Sequence, residues 1–324
     1  MIGIILVALA AGCASALMFA SIISGALISL LLFYLAPLPL MVTAIGWGPL
    51  SAAIGGIAAA CGLGAIFGLP YCIAFTVSVA LPAWWLGHLA LLGRSAPVSL
   101  PGDEEATPAA PEIEWYPVGR ILLWISGFAV VTTFAALLTL GTDAAAIADT
   151  LRRGLVRIIN PQGDAVSGEF EQWVDAMVIV APAAASLVAM VTLMLNLWLA
   201  AKITATSGRL HRPWPDLKTA ALPPTTLVAL CVAIALCFSG GLLAVLAEIV
   251  TSALMMAYAI TGFAVLHTLT LALKNRAFWL GSTYAVVVMF GWPVLAMVLL
   301  GVADAVFGFR QRYLRQRPPP LPVH

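Results

Sequence analysis

The sequence predicts an all-α fold, a polytopic transmembrane helical bundle of about eight to ten membrane-spanning segments, and three observations lead to this prediction. Hydrophobic residues make up 62% of the 324-residue chain and charged residues only 9%, against about 25% charged residues in soluble domains. No Asp, Glu, Lys or Arg precedes Arg94, so residues 1–93 have the length for about four crossings of a hydrocarbon core about 30 Å thick. The formal net charge of +1 excludes the broad basic surface expected of a nucleic-acid-binding protein.

The chargeless N-terminal half, residues 1–94, should contain four helices. We predict them over residues 2–20, 22–46, 49–67 and 70–93, and Pro37 and Pro39 should interrupt the second. The stretch LAAGC ending at Cys13 resembles a lipoprotein cleavage site, but no basic residue precedes it. We therefore interpret residues 2–20 as a retained helix.

A Pro-rich acidic linker, residues 95–117, separates this half from a C-terminal half over residues 118–309. Its sequence, SAPVSLPGDEEATPAAPEIEWYP, has no apolar periodicity, which predicts a mobile segment. Helix five should cover residues 118–140. Residues 143–159 predict an amphipathic helix lying on the membrane surface and ended by Asn160-Pro161. Its predicted apolar face consists of Ile147, Leu151, Leu155 and Ile158.

The remaining apolar blocks leave the topology open. Helices six to eight are predicted over residues 176–201, 223–247 and 250–273, with a polar turn, SGEFEQWVD, before helix six. The loop at 202–222 and the basic tail at 310–324 should both be cytoplasmic by the positive-inside rule, which requires an even number of crossings between them. Either residues 277–307 form a short hairpin bent at Gly291-Trp292-Pro293, or one block is re-entrant.

Small residues form two stripes at a spacing of four along predicted helices. In a bilayer such stripes let helix backbones approach closely. The two helices could therefore pack on each other, or one could dock a partner protein. The first stripe is Ala8, Gly12, Ala16, Ala20 and Ser24, and the second is Gly48, Ala52, Gly56, Ala60, Gly64 and Gly68.

Two resemblances to known families add to the predictions of packing and partner docking. The stretch LPLMVTAIGWGPLSAAIGGIAAACGL at 38–63 resembles the helix-turn-helix signature of energy-coupling-factor transporter substrate-binding subunits. The whole chain resembles the YybS-like family of bacterial membrane proteins, a family without an assigned activity. The residues that carry this second resemblance are LPLMVTAIGWGP, LPAWWLGHLALLGR, TGFAVLH at 261–267 and LLGVADAVFGFRQR at 299–312, with Gly308 where an acidic residue is more typical of the family.

The resemblances imply a bacterial inner-membrane protein, and the energy-coupling signature implies a small-molecule, vitamin-like uptake subunit. They also imply that Ala8, Gly12, Ala16 and Ala20 dock a shared transmembrane subunit. A separate ATPase would then supply energy, because this chain has no Gly-x-x-x-x-Gly-Lys loop. The alternative is a non-transporting scaffold that recruits envelope or division partners through the amphipathic helix and the basic tail.

Few polar side chains inside the apolar blocks are candidates for ligand binding. Each has a plainer alternative: Asn196 and His267 could bond a neighbouring helix, Glu248 could be an interfacial loop residue between helices seven and eight, and Asp304 could pair with Arg310 to fix a helix end. In a transport protein the ligand would lie near the Gly46–Pro49 turn and helices six to eight. The candidates are Trp47, Asn196, Glu248, His267 and Asp304.

Enzyme, metal and cofactor functions are not expected. The chain lacks His-Glu-x-x-His and Gly-x-Ser-x-Gly motifs. Its cysteines form no Cys-x-x-Cys pair and lie in apolar runs, where free thiols behave as small hydrophobes. They are Cys13, Cys61, Cys72, Cys231 and Cys237.

Overall fold

The computed structural model describes residues 2–96, 112–160, 168–215 and 220–315, which form helices and one short hairpin. Seven helical stretches among them are long and apolar enough to cross a membrane, which confirms the all-α membrane fold class. Three shorter apolar helices follow or alternate with them, at Thr225–Leu236, Arg276–Phe290 and Val294–Phe307. The seven long stretches are Ile2–Ser24, Leu27–Trp47, Pro49–Phe67, Leu69–Leu91, Val118–Leu138, Gly168–Thr206 and Gly241–Leu269.

The chain divides into two compact units. Unit 1 comprises Met1–Pro117 and Val191–Pro215, and unit 2 comprises Val118–Met190 and Asp216–His324. The division at Pro117 coincides with the end of the predicted linker. Sequence analysis had assigned residues 191–215 to the C-terminal half, whereas their contacts group them with unit 1.

Unit 1 begins with α1 (Ile2–Ala20), α2 (Leu27–Leu35), α3 (Pro37–Trp47) and α4 (Pro49–Phe67). The first stripe is used here, because α1 packs closely against α4 at Gly55, which lies next to the second stripe and is not one of its members. A Cβ atom added to Gly12 would overlap the carbonyl of Gly55, and one added to Gly55 would overlap the carbonyl of Ala8. Only glycine allows two helix backbones to come this close.

The opposite side of α4 faces the next helical stretch, α5 (Leu69–Phe75), a π-helical segment (Thr76–Ala80) and α6 (Leu81–Leu91). A Cβ on Gly56 would lie 3.1 Å from the Cβ of Ala80, and one on Gly64 would lie 3.1 Å from the Cβ of Cys72. Two glycines of the second stripe, Gly56 and Gly64, therefore also pack against neighbouring helical segments within unit 1.

Gly48 and Gly68 do not belong to the helical packing face on which sequence analysis placed them. Their φ angles are +96° and +91°, a region that side chains rarely adopt. They form the turns that begin and end α4, each followed within two residues by a proline, Pro49 or Pro70. Proline in the first turn of a helix costs no hydrogen bond.

The two ends of the predicted linker are ordered, which corrects part of that prediction. Strand β1 (Gly93–Ala96) pairs antiparallel with β2 (Glu112–Trp115), Gly93 lying opposite Trp115. An exposed ion pair joins Arg94 to Glu114 at 2.7 Å. Residues 97–111 lie outside the described part of the chain.

Unit 2 begins with α7 (Val118–Leu138) and α8 (Ala144–Ile159). The Asp143 carboxylate caps α8 by accepting a hydrogen bond from the Ala146 amide at 2.9 Å. Ile147 on its apolar face is only 2% exposed and packs against Leu137 and Ile249. The predicted amphipathic helix exists: Ile147 in its first half packs on the protein, while Ile158 near its end is 78% exposed.

Helix α9 (Gly168–Thr206) begins before residue 176, where sequence analysis began helix six. The predicted polar turn is helical because its acidic side chains have partners. Arg152 of α8 lies 2.6 Å from the Asp175 carboxylate and 3.9 Å from that of Glu171. These pairs lie on one side of a helix whose later residues are apolar.

The predicted boundary between helices seven and eight is wrong by nine to eleven residues, about three turns. Helix α10 (Thr225–Leu236) ends early, and α11 (Gly241–Leu269) begins at a glycine pair, with φ +80° at Gly240 and +61° at Gly241. The paired glycines break the helix more effectively than the polarity of Glu248. This carboxylate consequently lies inside α11.

The last apolar block consists of two helices, α12 (Arg276–Phe290) and α13 (Val294–Phe307), separated by a bend at Gly291, whose φ is +70°. The break between these helices lies at Gly291–Pro293, where the hairpin alternative predicted a bend. Helix α13 packs on α11 through glycines, because a Cβ on Gly262 would overlap Met297 and one on Gly301 would overlap Tyr258. Helix α14 (Phe309–Arg315) follows, so the predicted tail begins as a helix.

Candidate functional site

The five predicted ligand residues do not form one site. Trp47 and Asn196 belong to unit 1, and the other three belong to unit 2. Glu248 and His267 are 19 residues apart in α11, which separates them by about 28 Å at 1.5 Å per residue. A single small molecule cannot contact both, so each candidate has to be assessed by its own surroundings.

Trp47 ends α3 and serves as a platform for a cation. The guanidinium carbon of Arg209, in the loop after α9, lies 4.4 Å from the centre of the Trp47 ring. Gly46 lies beside the same side chain, and a Cβ added there would be 3.8 Å from Arg209, an ordinary van der Waals contact. The ring is therefore occupied by a residue of this chain.

Asn196 forms the interhelical bond that was its plainer alternative. Its amide nitrogen donates to the carbonyls of Tyr34 and Thr192, at 2.8 Å each, and the residue is 0% exposed. The Tyr34 carbonyl lies in the last turn of α2, just before the prolines that begin α3. Asn196 therefore connects α9 to the end of α2, which corresponds to a structural role.

His267 also has a partner within the chain. Its Nε2 lies 2.8 Å from the hydroxyl of Tyr284 on α12, and the Tyr284 ring stacks on Phe263 with centroids 5.1 Å apart. Arg276 donates to the His267 carbonyl at 3.4 Å. These contacts connect α12 to α11, again the plainer of the two alternatives.

Asp304 forms a buried ion pair with Arg310, and both side chains are only 7% exposed. Its Oδ1 accepts from the Arg310 amide at 2.9 Å and its Oδ2 accepts from Nε at 2.7 Å. Gly308, with φ +64°, reverses the chain so that Arg310 faces back to Asp304. Arg310 also donates to the Ala220 carbonyl at 2.8 Å, so it is part of the core and not of a free basic tail.

Glu248 is the exception among the five. It is half-buried inside α11, and among the described residues it makes no hydrogen bond or ion pair. Thr251 and Ser252 lie three and four residues further on, so they share its side of the helix. Glu248 therefore projects from an apolar helix next to two hydroxyl groups.

Each of these hydroxyls contacts a different neighbouring helix. Ser252 Oγ lies 2.7 Å from Ser186 Oγ of α9, and Thr251 Oγ1 lies 3.6 Å from the Cys237 thiol that follows α10. Glu248 thus marks one end of a polar seam along α11, which we define as Glu248, Thr251, Ser252, Ser186 and Cys237. Sequence analysis missed this seam except for Glu248, because single Ser, Thr and Cys residues in apolar runs give no signal.

The Ser186–Ser252 contact gives a direct test of the seam. We expect Ser186→Ala to lower the free energy of unfolding by about 0.6 kcal/mol, and at most about 1.7, as for other hydrogen bonds between membrane helices. A double-mutant cycle with Ser252→Ala should give a coupling energy of that size in thermal unfolding in detergent. Ser78→Ala is the control, since the Ser78 hydroxyl bonds only the Ala74 carbonyl of its own helix; additive effects of Ser186→Ala and Ser252→Ala would contradict the contact.

Metal binding has no support in the described residues, where no group of three His, Cys, Asp or Glu side chains could hold an ion. Comparison with protein-family models, curated proteins and solved structures found no match. The resemblances to the YybS-like family and to energy-coupling substrate-binding subunits therefore stay predictions from the sequence motifs.

Proposed function

We propose that this multi-pass membrane protein is a transport component of the small-molecule uptake class, and that Glu248 binds a monovalent cation during transport. The observation that carries the proposal is the unpartnered, half-buried Glu248 carboxylate inside α11. We place the protein in a bacterial inner membrane with its 202–222 loop in the cytoplasm, because this loop is basic.

A carboxylate among apolar helices is costly unless a counter-charge or a proton accompanies it. Asp304 meets this need with Arg310, whereas no described cation reaches Glu248. Residues with an uncompensated charge in a membrane helix commonly lie on ion or substrate pathways. The hydroxyls of Thr251 and Ser252 add neutral oxygens, a donor set that suits a proton or Na⁺ better than a transition metal.

The route of energy coupling is a separate question. The family resemblance implies docking of a shared subunit through the α1 stripe, yet Ala8 and Gly12 of that stripe contact α4 at Gly55. A partner at α1 would have to use other positions, such as the part-exposed Ala16 and Ala20. Coupling to a separate ATPase consequently stays an implication of the resemblance and does not support the transport proposal.

The scaffold alternative has less support, because its two proposed surfaces are partly used within the chain. Ile147 of the amphipathic helix packs in the core of unit 2, and Arg310 of the tail is buried against Asp304. Residues 316–324 lie outside the described part of the chain.

The proposal predicts cation movement that depends on Glu248. In proteoliposomes with an imposed K⁺ diffusion potential, we expect wild-type protein to move H⁺, followed with an internal pH dye, or ²²Na⁺. Glu248→Gln should reduce the flux at least tenfold because the amide keeps the shape of the side chain but has no charge. Glu248→Asp should retain part of the flux.

Glu169→Gln serves as the matched control, since Glu169 is an exposed acid in the first turn of α9. Its flux should equal that of the wild type. Wild-type liposomes that move neither H⁺ nor Na⁺ above the protein-free background would overturn the proposal, as would an unchanged flux in Glu248→Gln.

A further inference from the structure

Two cations at the C-terminal end of α9 lie against tryptophan rings. The Lys202 ammonium is 4.5 Å from the centre of the Trp214 ring, and the Arg209 guanidinium is 4.4 Å from that of Trp47. A ring face attracts a cation but accepts few of its N–H donors, so most donors of both side chains remain available. Neither cation pairs with a carboxylate in the described parts of the chain.

A third cation in this region has a different role. Arg212 donates to the Ala90 carbonyl at 3.3 Å and to the Tyr116 carbonyl at 2.9 Å, and its guanidinium lies 5.8 Å from the centre of the Trp115 ring. Burial lowers the pKa of the Arg212 guanidinium, although an arginine stays charged at physiological pH. Its donors hold the end of α6 next to the β2 side of the hairpin. Among the described cations at this end of α9, Lys202 and Arg209 keep donors open to a ligand.

The position of Lys202 along α9 places it at a membrane interface. Residues 176–201 contain no charged side chain, and as helix they extend about 39 Å, enough for a hydrocarbon core about 30 Å thick. Trp198, one turn before Lys202, is 49% exposed, and Trp214 is 46% exposed. Exposed tryptophans beside cations at the end of an apolar helix are typical of the headgroup level.

Charge compensation differs between the two ends of the apolar part of α9. At the N-terminal end, Asp175 and Glu171 are paired with Arg152. At the C-terminal end, Lys202 and Arg209 lack such partners among the described residues. The uncompensated positive end should lie in the cytoplasmic leaflet, where anionic lipids supply negative charge.

We propose that Lys202 and Arg209, supported by Trp214 and Trp47, bind the phosphates of anionic phospholipid headgroups. The two cations donate to phosphate oxygens, while the exposed Trp198 and Trp214 rings contact the glycerol and upper acyl region. The site belongs to unit 1 and does not depend on the transport role proposed for Glu248. A zwitterionic headgroup should bind more weakly because its own ammonium competes for the phosphate.

The test is native mass spectrometry of the full-length protein with phosphatidylglycerol and phosphatidylcholine added at equal concentrations. We expect preferential retention of phosphatidylglycerol by the wild type. In the Lys202→Gln/Arg209→Gln variant, phosphatidylglycerol affinity should fall about 30-fold, because each cation at an anionic surface contributes about fivefold. The charge-conserving variant Lys202→Arg/Arg209→Lys should keep most of the preference.

The matched control is Arg153→Gln/Arg157→Gln, which removes two exposed cations from α8 and should leave the preference unchanged. Equal retention of both lipids by the wild type, or an equal loss in the control, would overturn the proposal. Inorganic phosphate alone is the other arm: displacement of phosphatidylglycerol by millimolar phosphate would assign the site to a free anion and not to a lipid. The thermal unfolding midpoint of each variant, measured in parallel, identifies a loss that comes from misfolding.

Discussion

Asp304→Asn should lower the free energy of unfolding by about 3–5 kcal/mol, because it removes the carboxylate that is paired with the buried Arg310 guanidinium. Both side chains are 7% exposed, so water cannot replace the lost carboxylate. The Asn side chain can still accept from the Arg310 amide, which isolates the effect of charge. The measurement is the thermal unfolding midpoint in detergent, together with protease sensitivity of α14.

Two comparisons make this result specific. Asp149→Asn removes one partner of the exposed Arg153 pair, whose side chains are 61% and 70% exposed, and should cost no more than about 1 kcal/mol. Asp304→Leu/Arg310→Met removes both buried charges and should recover most of the loss, though not the bond to the Ala220 carbonyl. Equal midpoints for Asp304→Asn and Asp149→Asn would show that the pair is not buried in the folded protein.

Gly55→Ala should separate α1 from α4 and destabilise unit 1 by about 1–3 kcal/mol, the usual range for overpacking. The added methyl group would overlap the Ala8 carbonyl, and a backbone atom cannot move aside as a side chain can. The close contact of Ala8 and Gly12 on α1 with α4 would then be lost. Thermal unfolding combined with hydrogen exchange of α1 amides would show the loss locally.

Gly62→Ala is the control for this substitution within the same helix. Nothing lies within 4 Å of a Cβ added at Gly62, so the only effect should be a gain in helix propensity of up to about 1 kcal/mol. Gly55→Ala should therefore lower the free energy of unfolding, whereas Gly62→Ala should raise it. A stabilising Gly55→Ala would contradict the close approach of α1 and α4.

Most helix positions could be predicted because hydropathy and proline are local signals. The predicted range 49–67 coincides with α4, and residues 118–140 nearly coincide with α7. The predicted helix boundaries were wrong where the same local sequence feature was compatible with either a helix or a break in it. The polar stretch at 168–176 is helical because Arg152 pairs with its acids, and the break before α11 follows Gly240-Gly241, not Glu248.

The candidate site was less predictable than the fold. Four of the five candidates were selected as polar side chains in apolar runs and Trp47 for its place in the Gly46–Pro49 turn, yet four of the five have partners within the chain. Asn196 bonds a carbonyl 162 residues away in the sequence, and no local pattern could indicate that pairing. The seam hydroxyls Ser186 and Ser252 are separated by 66 residues, for the same reason.

The sequence by itself determined that this protein is an all-α membrane protein, because a run of 93 residues without Asp, Glu, Lys or Arg can bury its backbone polar groups in lipid only as helices. Only the tertiary structure decided which charges are compensated. Asp304 and Glu248 are both acids in apolar surroundings, but a left-handed glycine returns Arg310 to Asp304, while no described cation reaches Glu248. The composition of a helix indicates whether water or lipid surrounds it. The partner of a charged side chain depends instead on which distant parts of the chain are brought together by the fold.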